Sequence, residues 1–137
     1  MKNTVKIAAV AALAAVSLTA AAKLSEGKAY GDWKGTCQGN ECGAVQIVNN
    51  PQGEPVGRIL LRRIPEAQNS VVAFVTVPLG VNLRAGMALA VDGKELVVTP
   101  YDFCDNGGCN AAIPLEGNIE ASVKKGNVLQ VAAFVGD

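Results

Sequence analysis

Short apolar runs alternate with clusters of turn-forming residues along the chain, beginning near residue 30. Runs of this length, rich in β-branched residues and bounded by Gly, Pro, Asn and Asp, are typical of β-strands. The pattern predicts strands at residues 30–37, 42–48, 56–64, 71–77, 87–91, 95–99, 110–115 and 128–135.

Local signals add detail to this pattern in three places. Asp92-Gly93 separates two predicted strands and favours a two-residue hairpin turn. Residues 71–77 are almost all β-branched or aromatic, as is typical of a strand inside a sheet. Residues 119–125 fit both helical spacing and alternation, and Gly126 after them favours one or two helical turns. We predict a single-domain, all-β antiparallel fold with at most one short helix, either a β-sandwich or a small open barrel.

The N-terminal segment has a different pattern. Lys2 and Lys6 precede an apolar run rich in Ala, Val and Leu, and three small residues at 20–22 follow it. This order is that of an export signal, and the run is shorter than the roughly 20 residues that span a bilayer. A buried N-terminal helix is the alternative. We predict that residues 1–22 are a signal peptide and that residues 23–137 form the β domain, with no membrane-spanning segment after cleavage.

Charge and composition exclude several classes of function. The chain has 12 basic and 12 acidic residues, so loss of Lys2 and Lys6 leaves ten basic against twelve acidic residues. A near-neutral chain with few aromatic residues lacks the basic, stacking surface of a nucleic-acid-binding protein. Because histidine does not occur, Ser-His-Asp and Cys-His nucleophiles and His-ligated zinc are excluded. We expect a protein that is not an enzyme and that uses no cofactor.

The four cysteines form two pairs of equal spacing, Cys37 with Cys42 and Cys104 with Cys109. An even number of cysteines in an exported chain favours disulfides. Two such pairs also fit the ligand spacing of a tetrahedral zinc site, but export favours oxidation over metal binding. The spacing differs from the Cys-x-x-Cys of thioredoxin-type redox pairs. We expect structural disulfides and no metal.

Three pairings of the four cysteines are open. A long-range bridge such as Cys37–Cys104 would stabilise by about 4 kcal/mol from chain entropy alone, against about 2 kcal/mol for a local bridge. Local bridges, however, would each cross the mouth of a hairpin, where facing residues lie about 4.5–5.5 Å apart. The two cysteines of one loop also meet early in folding. We therefore predict Cys37–Cys42 and Cys104–Cys109.

Polar side chains near the second cysteine pair are candidates for a cation site. Oxygen ligands for calcium are available from Asp102, Asp105, Asn106 and Asn110. These residues do not follow the Asp-x-Asp-x-Asp-Gly register, and any tight loop uses the same residue types. Loop structure is therefore the preferred interpretation.

Few other side chains are candidates for chemistry or ligand binding. Carboxylates are available at Asp32 and Glu41 as well as in the second cysteine loop, but no spacing pairs them. Arg62, Arg84 and Asp102 are the candidates for a small-molecule site, which would need a concave surface with convergent polar groups.

Several short motifs follow one another in order through the predicted β domain. They are Tyr30-Gly31-Asp32-Trp33 leading to Cys37, Cys42 with Gln46, Pro78-Leu79-Gly80-Val81 with Leu83 and Gly86, Val91-Asp92-Gly93, Cys104 and Gly108-Cys109 followed by Ala111-Ala112, then Gly126 and Phe134-Val135. In this order they resemble the invasion-associated locus B (IalB) family of exported bacterial proteins.

The resemblance implies a periplasmic or surface-associated protein of alphaproteobacteria, with a part in host-cell invasion in some pathogenic members. It implies no catalytic residue and no cofactor. The chain departs from the family in a short connection from Cys37 to Cys42 and in lacking an apolar segment after Phe134. We expect the missing segment to leave an exposed edge or face at residues 128–135 that is prone to self-association.

We predict an exported envelope or surface protein that acts by protein–protein contact, in host-cell invasion as the resemblance implies. The alternative is a periplasmic protein that binds a small molecule or a glycan. A deep pocket would favour binding of a ligand, whereas a flat face rimmed by loops would favour contact with a protein. A histidine-free hydrolase ranks last.

Overall fold

The computed structural model describes residues 3–9 and 24–136. In these residues it has the strands β1 Asn3–Ala9, β2 Ala29–Tyr30, β3 Trp33–Gln38, β4 Glu41–Asn49, β5 Pro55–Ile64, β6 Ser70–Val77, β7 Met87–Val91, β8 Lys94–Thr99, β9 Phe103–Asp105, β10 Gly108–Leu115 and β11 Leu129–Val135, with the helix α1 at Asn118–Lys125. A 3-10 turn at Pro65–Ala67 joins β5 to β6.

The strands form two antiparallel sheets that share one core. The smaller sheet has the order β1-β11-β7-β8 and the larger sheet the order β2-β3-β4-β5-β6-β10-β9. Leu89 and Leu129 of the smaller sheet are buried in the same cluster as Ile59, Val75 and Ile113 of the larger sheet. Neither sheet closes on itself, so the fold is an open β-sandwich. The all-β prediction is confirmed, and of its two alternatives the sandwich is the one found.

Within residues 24–136 the predicted strands agree with the structure except at two places. The strand predicted at residues 30–37 is divided by a turn at Gly31 and Asp32 into β2 and β3. The three-residue strand β9 was not predicted, because a segment this short has no readable alternation. The interior position predicted for residues 71–77 is confirmed, since β6 lies between β5 and β10.

The predicted turn at Asp92-Gly93 joins β7 to β8, and both residues have positive φ, 51° and 83°. These angles are those required by a two-residue hairpin turn. The Asp92 carboxylate also accepts backbone N–H bonds from Asn127 at 3.2 Å and Val128 at 2.9 Å. The hairpin turn therefore also holds the connection from α1 to β11 in place.

Helix α1 confirms the predicted helical turns, and Gly126 is its C-cap residue, as expected, with its N–H donating to the carbonyl of Ser122 at 2.9 Å. Its φ of −77° is ordinary, so it is not a left-handed cap. A Cβ at this position would lie 2.0 Å from Cγ1 of Val91. Glycine is needed because the end of the helix packs directly against β7.

Strand β1 comes from the segment predicted to be a signal peptide. It pairs antiparallel with β11 along seven residues, from Asn3 opposite Val135 to Ala9 opposite Leu129. The exposed edge expected at residues 128–135 is therefore paired in the full chain. Cleavage after Ala22 falls in residues 10–23, which lie outside the described part, and it stays a prediction.

The two disulfides have the local pairing that was predicted. Cys37 is bonded to Cys42 and Cys104 to Cys109, with Cα–Cα distances of 4.1 and 4.0 Å. Each pair lies at facing positions of an antiparallel ladder, β3 with β4 and β9 with β10. All four cysteines are used in this way.

Reduction of both disulfides is expected to lower the free energy of unfolding by about 2 kcal/mol per bridge, because each bridge closes only a short loop in the unfolded chain. Urea unfolding with and without reductant, followed by circular dichroism, measures the change. A non-reducing peptide map supplies the control for connectivity. Complete unfolding in reductant alone would contradict the local role assigned to these bridges.

A candidate contact face on the larger sheet

The larger sheet carries apolar side chains on the face turned away from the core. Val45, Leu60 and Phe74 lie opposite one another across β4, β5 and β6. Because side chains alternate along a strand, this row points away from buried Ile59 and Val75. None of the three belongs to the core cluster.

Further apolar residues extend this row. Ile47 is 51% exposed and lies two residues along β4 from Val45, while Val72 is 8% exposed and lies two residues along β6 from Phe74. Phe103, on β9, is 59% exposed. We call the six residues that share this face the outer face: Val45, Ile47, Leu60, Val72, Phe74 and Phe103.

A polar row crosses the outer face between Ile47 and Phe103. The ladders place Arg58, Thr76 and Asn110 side by side on β5, β6 and β10, with Ile47 and Phe103 at the two ends. The Thr76 hydroxyl donates to Oδ1 of Asn110 at 2.7 Å. Because these two side chains bond to each other, the exposed Arg58 guanidinium is the charge that the row offers to a partner.

A shallow, open groove of about 490 Å³ lies at this end of the outer face. Ile47, Arg58 and Thr76 line one part of it, and Asp105 and Gly107 line its rim. The rim belongs to the loop closed by the Cys104–Cys109 disulfide, and Asp105 Oδ1 accepts the N–H of Gly107 at 2.8 Å. The loop that borders the groove is thus held by a covalent and a polar constraint.

The size and character of the outer face suit contact with another protein. Five strands at about 4.8 Å spacing and three rows at about 6.8 Å give a surface of roughly 20 Å by 14 Å. Ile47 and Phe103 are exposed within it, Val45, Leu60 and Phe74 are partly exposed, and Val72 is buried. Apolar surface rimmed by polar and charged residues is a feature of interaction sites. The groove is too open to enclose a small molecule in the way that ligand pockets do.

The carboxylates predicted near the second cysteine loop serve the loop itself. Asp102 accepts the N–H of Ala112 at 2.8 Å, and its own N–H donates to the carbonyl of Asn110 at 2.8 Å. Together with the bonds of Asp105 and Asn110 described above, these contacts give Asp102, Asp105 and Asn110 a structural role in the loop and its flanking strands. Asn106 makes no contact on which a site can be based.

The three residues predicted for a small-molecule site do not come together. Arg62 is on β5, where it pairs with Glu41 at 3.2 Å. Asp102 lies beside β10, and Arg84 belongs to the connection before β7, where its N–H donates to Oδ1 of Asn82 at 3.0 Å. These three candidates for the alternative function therefore do not form one convergent site in the described residues.

Two ionisable side chains have shifted pKa values with structural causes. Burial raises the pKa of the Tyr101 hydroxyl above its usual value. A hydrogen bond and the charge of Lys124 lower the pKa of Glu120, and the two side chains approach to 2.8 Å on α1. Both shifts follow from packing or helix pairing, and neither group lies on the outer face.

Sequence reasoning missed the outer face because it treated β4 and β5 simply as apolar strands. The signal was present: both strands carry apolar residues on alternate faces, as in Ala44 and Val45 or Ile59 and Leu60. An antiparallel strand with one wet face normally alternates with polar residues. Apolar residues on both faces indicate either a third layer or a contact surface.

No helix in the described residues is long and apolar enough to cross a membrane. Residues 33–137 match the protein family described as invasion associated locus B (IalB) protein, and this range holds the whole outer face. The fold is similar to the crystal structure of invasion associated protein B from Bartonella henselae, with a TM-score of 0.69 and 25% sequence identity. That similarity covers 80% of this chain and 77% of the Bartonella chain. No curated protein matches the chain in sequence.

Proposed function

We propose that this chain, which belongs to the invasion-associated locus B family, is an exported envelope or surface protein that binds another protein through the outer face. Its role is in host-cell invasion, as the family description indicates. The main support for this proposal is that Ile47 and Phe103 are exposed at the two ends of a row that also includes Arg58.

The chemistry of the outer face defines the partner. Apolar side chains gain free energy when a matching surface removes them from water, at about 25 cal/mol per Å². The charged groups near them include the cations of Arg58 and Lys34, both exposed. The partner therefore presents apolar side chains with an acidic group opposite Arg58 and Lys34 and a basic group opposite Asp105, since complementary charge favours the correct orientation on encounter.

Three features support export and contact without catalysis. The two disulfides are of a kind that forms in oxidising compartments. The first 22 residues have the order of an export signal. Asp105, which lines the groove, accepts the N–H of Gly107, and Asp102 accepts the N–H of Ala112 on β10. The proposal excludes turnover of esterase, peptidase and glycosidase substrates by the purified protein.

Ile47→Asp is expected to weaken partner binding by about 30-fold, the effect of losing an interface residue worth 2 kcal/mol. A photo-crosslinking amino acid at position 103, introduced in the bacterium that carries the gene, is expected to capture the partner. The Ile47→Asp change should abolish that adduct. Folding should be preserved, because Ile47 is already half exposed.

Leu83→Asp is the matched control for this experiment. Leu83 is similarly exposed but lies in the connection before β7, on the other sheet's side of the molecule. Binding and crosslinking should be unchanged in this variant. If both variants lost partner binding, or if both kept it, the result would count against the outer face as the contact site.

A further inference from the structure

The edge of β11 differs from the other sheet edges in the described residues. At the ends of the larger sheet, β2 has two residues and β9 has three, so each offers few free backbone groups. The edge strand β8 begins with Lys94 and Glu95, and its pairing with β7 contains a register shift. Short length, charge and irregularity are devices that prevent an edge from recruiting another strand.

Strand β11 has none of these devices. No charged residue and no proline occurs between Lys125 and Asp137, and the strand pairs regularly along its whole length. Among the described strands, only β1 covers its outer edge. The predicted cleavage after Ala22 would remove β1 and leave seven residues of an uncharged edge unpaired.

Backbone bonds identify the groups that face this edge. The carbonyls of Val128 and Phe134 accept the N–H groups of Asp92 at 3.0 Å and Asn82 at 2.7 Å, so even-numbered backbone groups face the β7 side. Successive backbone groups of a strand point to opposite sides. The N–H and C=O groups of Leu129, Val131 and Ala133 therefore face β1.

One strand occupies the space beside this edge in the described residues. Strand β1 pairs with β11 within the smaller sheet and also contacts β4 of the larger sheet. In the larger sheet β3 and β2 continue beyond β4. The seven residues of β1 show that one extended segment fits between this edge and the larger sheet.

We propose that removal of β1 turns this space into a binding site for one extended strand of a partner protein, added antiparallel to β11. Backbone bonds to Leu129, Val131 and Ala133 would supply affinity, as in other complexes formed by strand addition. The side chains of these three residues are buried in the core. The partner strand therefore needs apolar residues at the positions opposite Val131 and Ala133, where the full chain has Ile7 and Val5.

The test uses the full chain with a protease recognition sequence placed within residues 10–23. The protein is folded first and then cut, so that β1 is held only by non-covalent contacts. Two labelled peptides are then added. The first has the sequence of residues 3–9. The second has threonine at every position except the two opposite Val131 and Ala133, which keep the isoleucine and valine of the chain. Fluorescence anisotropy measures uptake, and hydrogen exchange measures protection of the β11 amides.

Both peptides are expected to replace β1 and to protect the amides of Leu129, Val131 and Ala133. A peptide of residues 3–9 with Ile7→Pro is the control, and it should bind roughly tenfold more weakly because it lacks one donor of the ladder. Failure of uptake, or equal binding of the proline peptide, would overturn the proposal. Two results would overturn the assignment to a partner strand. In one, the cut protein takes up only the peptide that has its own sequence. In the other, the cut protein forms dimers and takes up neither peptide.

Discussion

Leu89→Ala is expected to lower the free energy of unfolding by about 2–5 kcal/mol, among the largest effects of any single substitution in this chain. Leu89 lies on β7 with 0% of its surface exposed. It faces Val131 on one neighbouring strand and Val97 on the other. Truncation removes apolar contacts with both sheets and leaves a cavity that rigid β-ladders cannot close.

Leu83→Ala provides a matched control, because the same atoms are removed from a side chain that is 55% exposed. Its effect should stay within about 0.5 kcal/mol. Urea unfolding of both variants with their disulfides intact gives the two free energies of unfolding. The comparison holds when the free energy falls with urea concentration at the same slope in both variants. Similar losses of stability would show that Leu89 is not part of a tightly packed core.

Gly108→Ala is expected to destabilise by about 3 kcal/mol or more, since backbone strain and a steric clash act together at this position. Gly108 has φ of 134°, a conformation that residues with a Cβ rarely adopt. A Cβ there would lie 2.2 Å from the carbonyl oxygen of Val77. Because that oxygen belongs to the backbone of β6, the steric clash can be relieved only if β6 and β10 move apart.

The neighbouring substitution Gly107→Ala separates this effect from loss of glycine as such. A Cβ at Gly107 would approach only the Asp105 carboxylate, at 3.3 Å, and that side chain can rotate. Thermal unfolding should give a clearly lower Tm for the Gly108 variant than for the Gly107 variant. If the two variants melted together, the close approach of β10 to β6 would be refuted.

Most of the fold could be predicted from local patterns. The Asp92-Gly93 turn and the apolar strands around it were readable because turn chemistry and alternation act over a few residues. The local disulfides were also predictable, since facing positions across a short hairpin satisfy disulfide geometry. Strand β9 was not, because three residues show no readable alternation. The pairing of Asn3–Ala9 was not, because its partner β11 is distant in sequence.

The candidate site was harder to predict than the fold. Residues chosen for their chemistry have structural partners instead. Arg62 forms an ion pair with Glu41, and Asp102 accepts a hydrogen bond from the N–H of Ala112. The outer face depends on register, which aligns Ile47, Arg58 and Thr76 from three strands. Register is fixed by the whole sheet, so no single segment of the sequence contains it.

The pairing of β1 with β11 also imposes an order of events on biogenesis. Strand β11 is C-terminal to every other described strand, so it is synthesised last. The N-terminal segment consequently has no sheet to join while most of the chain is being made. An export machinery that recognises this segment must engage it during that interval, since completion of the smaller sheet would withdraw residues 3–9 from recognition. For the exported protein proposed above, folding speed and translocation would therefore be in competition.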